Sequence, residues 1–289
     1  MRRSLAFVLL VAMPGAAPAQ TTEPRPDHAQ LRSAARQFVE QVTVETAGQL
    51  ARFYEPICPL SRGLPPDYNA VIEERVRAVA RAVGLPLGRN GDCLPNLIVL
   101  VADDSGEVTR LLRRERPDIF AGLDPADIRR AIDAAGPARA WQSSVVRRAE
   151  GAPIAESRDS YLHQEVHNVH GVPASLLRET IRRDLQLSVI LFDVAAIDGL
   201  TLMQVADHAA MRGLAATRPA AAAAGRSILA LFDDAAAGRA PSGGATPWDG
   251  AYLRALYRLS GAATAGAERN TLARLLEQNL GRGREPSSR

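Results

Sequence analysis

Three of the five histidines stand within eight residues, in His163-Gln164-Glu165-Val166-His167-Asn168-Val169-His170. Neutral imidazoles are ligands for zinc or copper. On a helix, His163 and His167 are one turn apart, and His170 lies three further on, on roughly the same face. The three rings are therefore candidates to share one metal, zinc first. Zinc peptidases of the His-Glu-x-x-His type place the glutamate directly after the first histidine. Here that position is Gln164, and Glu165 lies about 200° around the helix from His163. A general base there would point away from the metal, so the pattern suits binding better than hydrolysis. A solvated polar loop explains the same histidines, and no fourth ligand is evident.

A second set of candidates is acidic. Asp103 and Asp104 end one apolar run, and Asp193 and Asp198 lie within and just after another. If the two runs are neighbouring strands, these carboxylates gather at one edge. Like charges there would raise a pKa and suit acid–base chemistry or a hard cation. Helix capping by Asp104 and a turn at Asp198-Gly199 account for the same residues. No Gly-x-Ser-x-Gly elbow, phosphate-binding glycine loop or dinucleotide fingerprint is present. Trp141, Trp248, Tyr252 and Tyr257 are candidates for a pocket wall, although aromatics at helical spacing more often fill a core. His208 reads as a surface or partly buried residue.

The elements that must carry these residues follow from periodicity. Leu31–Phe53 reads as a helix, with apolar residues at helical spacing from Leu31 to Val42. Asp67 opens a second helix to Val83, closed by Gly84. Residues 97–102, an unbroken β-branched run, predict a strand buried on both faces. Asp104 with Glu107 and Asp124 with Pro125 predict two more helix starts. Arg139–Arg148 reads as a half-exposed strand, and Pro173–Leu185 as an amphipathic segment. Ser188–Ile197 reads as a second buried strand, followed by a helix capped by Thr201. Thr246-Pro247 opens a helix, and Ala267–Leu280 forms the last one. The expected fold is α+β, or mixed α/β: one helix-rich domain, residues 31–281, around a small sheet.

Export is the clearest expectation. Met1-Arg2-Arg3, an apolar run from Leu5 to Met13 and an Ala-x-Ala site ending at Ala19 form a secretory signal over residues 1–19. Residues 20–30 read as a loose leader and residues 282–289 as a disordered tail. In an exported chain the pair Cys58 and Cys93 is most simply a disulfide. A nucleophilic cysteine or metal ligand is the rival reading, and neither carries the flanking signature. The 289 residues contain no lysine, so all 35 basic residues are arginine; formal charge is +3, and +1 once Arg2 and Arg3 leave. No basic stripe with interleaved aromatics points to nucleic acid. No later apolar run is long enough for a bilayer.

Several segments taken together resemble a known group. They are Glu55-Pro56-Ile57-Cys58-Pro59 with Gly63-Leu64-Pro65-Pro66, residues 72–80, Cys93-Leu94-Pro95-Asn96-Leu97, residues 198–207, residues 210–215, and Trp248-Asp249 before Tyr252-Leu253. They resemble uncharacterised secreted proteins of alphaproteobacteria, across most of the chain beyond residue 19. The resemblance implies export and the Cys58–Cys93 pairing, and brings no catalytic motif. The sequence thus leads to two expectations. The first is a non-enzymatic protein of the periplasm or cell envelope that binds a partner protein or a small ligand. The second is a divalent-metal-binding protein or metal-dependent hydrolase using His163, His167 and His170.

Overall fold

The computed structural model describes residues 28–89, 92–134, 136–154, 179–218, 225–261 and 263–282, with the backbone alone at Glu156–Arg158 and Glu165–His167. The signal, most of the leader and the tail lie outside the described residues. The chain opens with α1 (His28–Val42), β1 (Pro59–Arg62), α2 (Pro66–Ala82) and β2 (Leu97–Ala102). Next come α3 (Ser105–Glu115), α4 (Pro125–Asp133), β3 (Ala138–Arg148), and the short pair β4 (Glu156–Arg158) and β5 (Glu165–His167). Then follow β6 (Ile181–Asp193), α5 (Val194–Ile197), α6 (Leu202–Leu214), α7 (Leu231–Ala236), α8 (Pro247–Leu256) and α9 (Ala265–Arg282).

Four strands form one sheet in the order β1-β2-β6-β3. β1, β2 and β6 run parallel, and β3 closes the sheet antiparallel to β6. The architecture is α+β. Leu97, Val99 and Val101 of β2 face a large apolar core shared with α1, α2, α6, α8 and α9. Ile98 and Leu100 face a smaller cluster on the other side, with Ile119, Phe120 and Trp141. Burial on both faces explains why β2 is continuously apolar rather than alternating.

The Cys58–Cys93 disulfide is present. Cys58 directly precedes β1 and Cys93 lies shortly before β2, so the bond ties together the entries of two neighbouring parallel strands. Asn96 reinforces the tie: the Cys58 amide donates to its Oδ1 at 2.8 Å, and its own amide donates to the Cys58 carbonyl at 3.0 Å. On the core face α6 approaches closely, because Gly213 lacks a side chain. A β-carbon there would lie 2.8 Å from Leu97 Cδ1.

Four expectations are corrected. α1 stops at Val42 instead of reaching Phe53; β-branched Thr43, Val44 and Thr46 lead into a turn with positive φ at Ala47 and Gly48. α2 has Pro65 at its cap and Pro66 in its first turn, with no side-chain cap bond, so Asp67 sits inside the helix. Ile181–Leu185 belong to β6, drawn into the sheet by pairing with β3 from Ser144 to Arg148. Val194–Ile197 is one helical turn rather than the end of the strand, which stops at Asp193.

Candidate functional site

Pairing in register sets Ala102 of β2 beside Asp193 of β6, so Asp103, Asp104 and Asp193 do reach one sheet edge. Asp198 follows in the turn after α5. Two of these carboxylates are held by backbone donors. Asp104 caps α3, accepting from the Glu107 amide at 2.8 Å, and Asp193 accepts from the Ser105 amide at 2.6 Å. The Glu107 amide holds the Asp104 carboxyl below the usual carboxylate range, opposite to the rise that acid catalysis requires. Among the described residues, no three His, Cys, Asp or Glu side chains are grouped to hold a metal ion. Asp104 and Asp193 thus both serve the start of α3.

Of the histidine cluster, His167 lies in β5, opposite Glu156 of β4. The backbone of Glu165–His167 is extended, so the one-turn helical spacing does not hold through it; His163 and His170 lie outside the described residues. His208 is buried, not at the surface, packed edge-on to Phe192 and Phe232 with centroids at 5.6 and 5.0 Å. Burial, aided by the nearby Arg212 charge, lowers its pKa to about 3, so the ring is neutral. Of the aromatic candidates, Trp141, stacked on Phe120, and Tyr252 are buried on opposite sides of the sheet, while Trp248 and Tyr257 are partly buried against the main core, Tyr257 donating to the Leu214 carbonyl at 2.5 Å.

Four buried charged groups are tied off internally. Arg52 and Glu268 are 2% and 3% exposed and meet at 3.2 Å. Arg52 also donates to the Leu259 carbonyl, and Glu268 accepts from the Leu50 amide. Asp207, 1% exposed, takes two bonds from Arg75 and one from the Ala245 amide. Asp249 accepts from Ser227, Ile228 and Thr246; burial raises its pKa.

The concavity suited to a partner lies outside, between the first and last helices. α1 packs on α9, with Leu31, Phe38 and Val39 sharing one core cluster with Leu272 and Leu276, and Glu268 reaches inward from α9 to Arg52 and the Leu50 amide. Above that seam opens a groove of about 1140 Å³, lined by Arg32 and Arg36 of α1 and by Arg269 and Arg274 of α9, with Glu40 and Glu277 between them. Arg32 pairs with Glu277 at 3.6 Å, and Arg269 pairs with Glu45. Among the described residues Arg36 and Arg274 have no carboxylate partner. Sequence reasoning missed the groove. Its one local signal is arginine repeated at i and i+4 on the outer face of α1; the matching face is on the last helix, and only the fold brings the two together. Comparison with protein-family models, curated proteins and solved structures finds no match to this chain.

Proposed function

We propose that the protein is exported to the periplasm or cell envelope and acts there by non-enzymatic binding, taking an acidic segment of a partner protein into the α1–α9 groove. The observation that carries this reading is the groove's charge: four arginines against two glutamates, with Arg36 and Arg274 lacking an acidic partner among the described residues. Guanidinium groups bind carboxylates in a planar two-bond geometry, so acidic side chains are the natural complement. The Cys58–Cys93 disulfide supports an oxidising compartment. No helix among the described residues is long and apolar enough to cross a membrane.

The test is fluorescence anisotropy with a labelled twelve-residue peptide of Glu and Leu, beside its Lys-for-Glu counterpart. Binding of the acidic probe, absence of binding by the basic one, and loss of at least tenfold affinity in Arg36→Glu/Arg274→Glu are expected. Equal affinity for both peptides, or no effect of the double reversal, overturns the reading. Export itself is checked by mass spectrometry of the secreted chain, which should begin at Gln20.

A further inference from the structure

A second, smaller pocket, partly open to solvent, lies between α2, α6 and α8 and holds about 170 Å³. Its walls are largely apolar: Ala78, Val79 and Ala82 from α2, Met211 from α6, Leu253 from α8. A dry apolar cavity of about 150 Å³ accepts a benzene-sized guest. The charged groups at its edge decide what else the guest carries. Asp207 is saturated by Arg75 and the Ala245 amide, which also neutralises Arg75. Asp249 is saturated by Ser227, Ile228 and Thr246. Neither acid is free to receive an amine or a cation.

Arg254 is different. It lines the same cavity, is exposed, and has no hydrogen-bond or carboxylate partner among the described residues. One turn earlier on α8, Gly250 leaves room for its guanidinium; a β-carbon there would stand 3.3 Å from the Arg254 terminal nitrogen. The side chain thus lies back over Gly250, itself a lining residue. The Asp249 charge is spread over the neutral donors that saturate it, whereas the Arg254 guanidinium stands unpaired at the mouth, so an apolar pocket with that one open donor group matches an apolar group bearing a single anionic head.

We propose that this cavity binds a small monocarboxylate with a ring-sized or branched hydrocarbon tail, the tail among Ala78, Val79, Ala82 and Leu253 and the carboxylate on Arg254. The site is separate from the α1–α9 groove and stands or falls without it.

The probe is phenylacetate, with phenylacetamide as its neutral counterpart, titrated into the oxidised protein by calorimetry and followed by amide chemical shifts. Saturable binding of phenylacetate is expected, with shifts centred on α2 and α8. Arg254→Gln and the neutral amide should each weaken it about tenfold, the scale of one charge-assisted hydrogen bond. Gly250→Ala keeps the charge but displaces the guanidinium; it should weaken binding while raising the melting temperature, as alanine does in a helix. Ala78→Phe, which fills the chamber, should abolish binding. No saturable binding by the parent overturns the proposal, as does binding that survives Ala78→Phe in a protein of unchanged melting temperature. Arg254 is exposed, so Arg254→Gln keeps its fold; unchanged affinity in that variant removes the carboxylate from the proposal's terms and overturns it.

Discussion

His208 links this fold to pH. Its native pKa is about 3, because the ring is buried against Phe192 and Phe232 with Arg212 nearby and its Nδ1 has no partner among the described residues. In the unfolded chain it titrates near the usual histidine value of about 6.5. A depressed native pKa on a base means that the unfolded state takes up the proton first. Stability contributed by the neutral ring is full above about pH 6.5 and falls by about 1.4 kcal/mol per pH unit towards pH 3. His208→Leu should remove this slope: urea midpoints of variant and parent should diverge in the variant's favour between pH 7 and pH 4. The Arg52–Glu268 pair makes the opposite kind of prediction. Glu268→Ala leaves a buried guanidinium uncompensated and should cost about 3–5 kcal/mol. The double variant Arg52→Met/Glu268→Leu should cost much less than the two single losses added, which a double-mutant cycle by urea unfolding checks.

Among elements, those that start with a side-chain cap were legible, because the cap and the amide it serves are neighbours in sequence. Thr246 accepts from the Asp249 amide while the Asp249 carboxylate accepts from the Thr246 amide, and Pro247 opens the first turn. Thr201 and Gln204 repeat the arrangement on α6. Thr246→Ala should destabilise the fold by about 1 kcal/mol, read as a lower urea midpoint at unchanged slope. Where partners are distant, local reading failed. Ile181–Leu185 carry apolar residues at a spacing a helix also accepts; their strand conformation comes from β3, more than thirty residues earlier, through pairs such as Arg148 with Ile181. The Asp104 cap on Glu107 was readable from three residues, but the bond that Asp193 accepts from the Ser105 amide, 88 residues earlier, depends on how α3 leaves the sheet.

At the scale of the whole molecule, the disulfide and the parallel strands it joins act together. Closing 35 residues between Cys58 and Cys93 restricts the unfolded chain, by about 4 kcal/mol in the chain-entropy description. Cys58→Ala/Cys93→Ala should lower the unfolding free energy by about 2–4 kcal/mol, and a reductant should lower the melting temperature of the parent but not of the variant. The cysteine pairing was legible from two residues and a compartment. The α1–α9 groove was not, because it is assembled from opposite ends of the chain.

That seam also sets a timetable. Thr43 bonds to Tyr252 across 209 residues, and Arg52 to Glu268 across 216. Ribosomes add about 5–20 residues per second, so α1 waits on the order of ten to forty seconds before α9 exists to cover it. During that interval the face of α1 that carries Leu31, Phe38 and Val39 lacks its α9 cover. The part of the main core that α9 covers therefore cannot close until residues 265–282 have been made. If the proposed export threads the chain unfolded, the α1–α9 seam is still open in transit, and α9 is the latch that closes it afterwards.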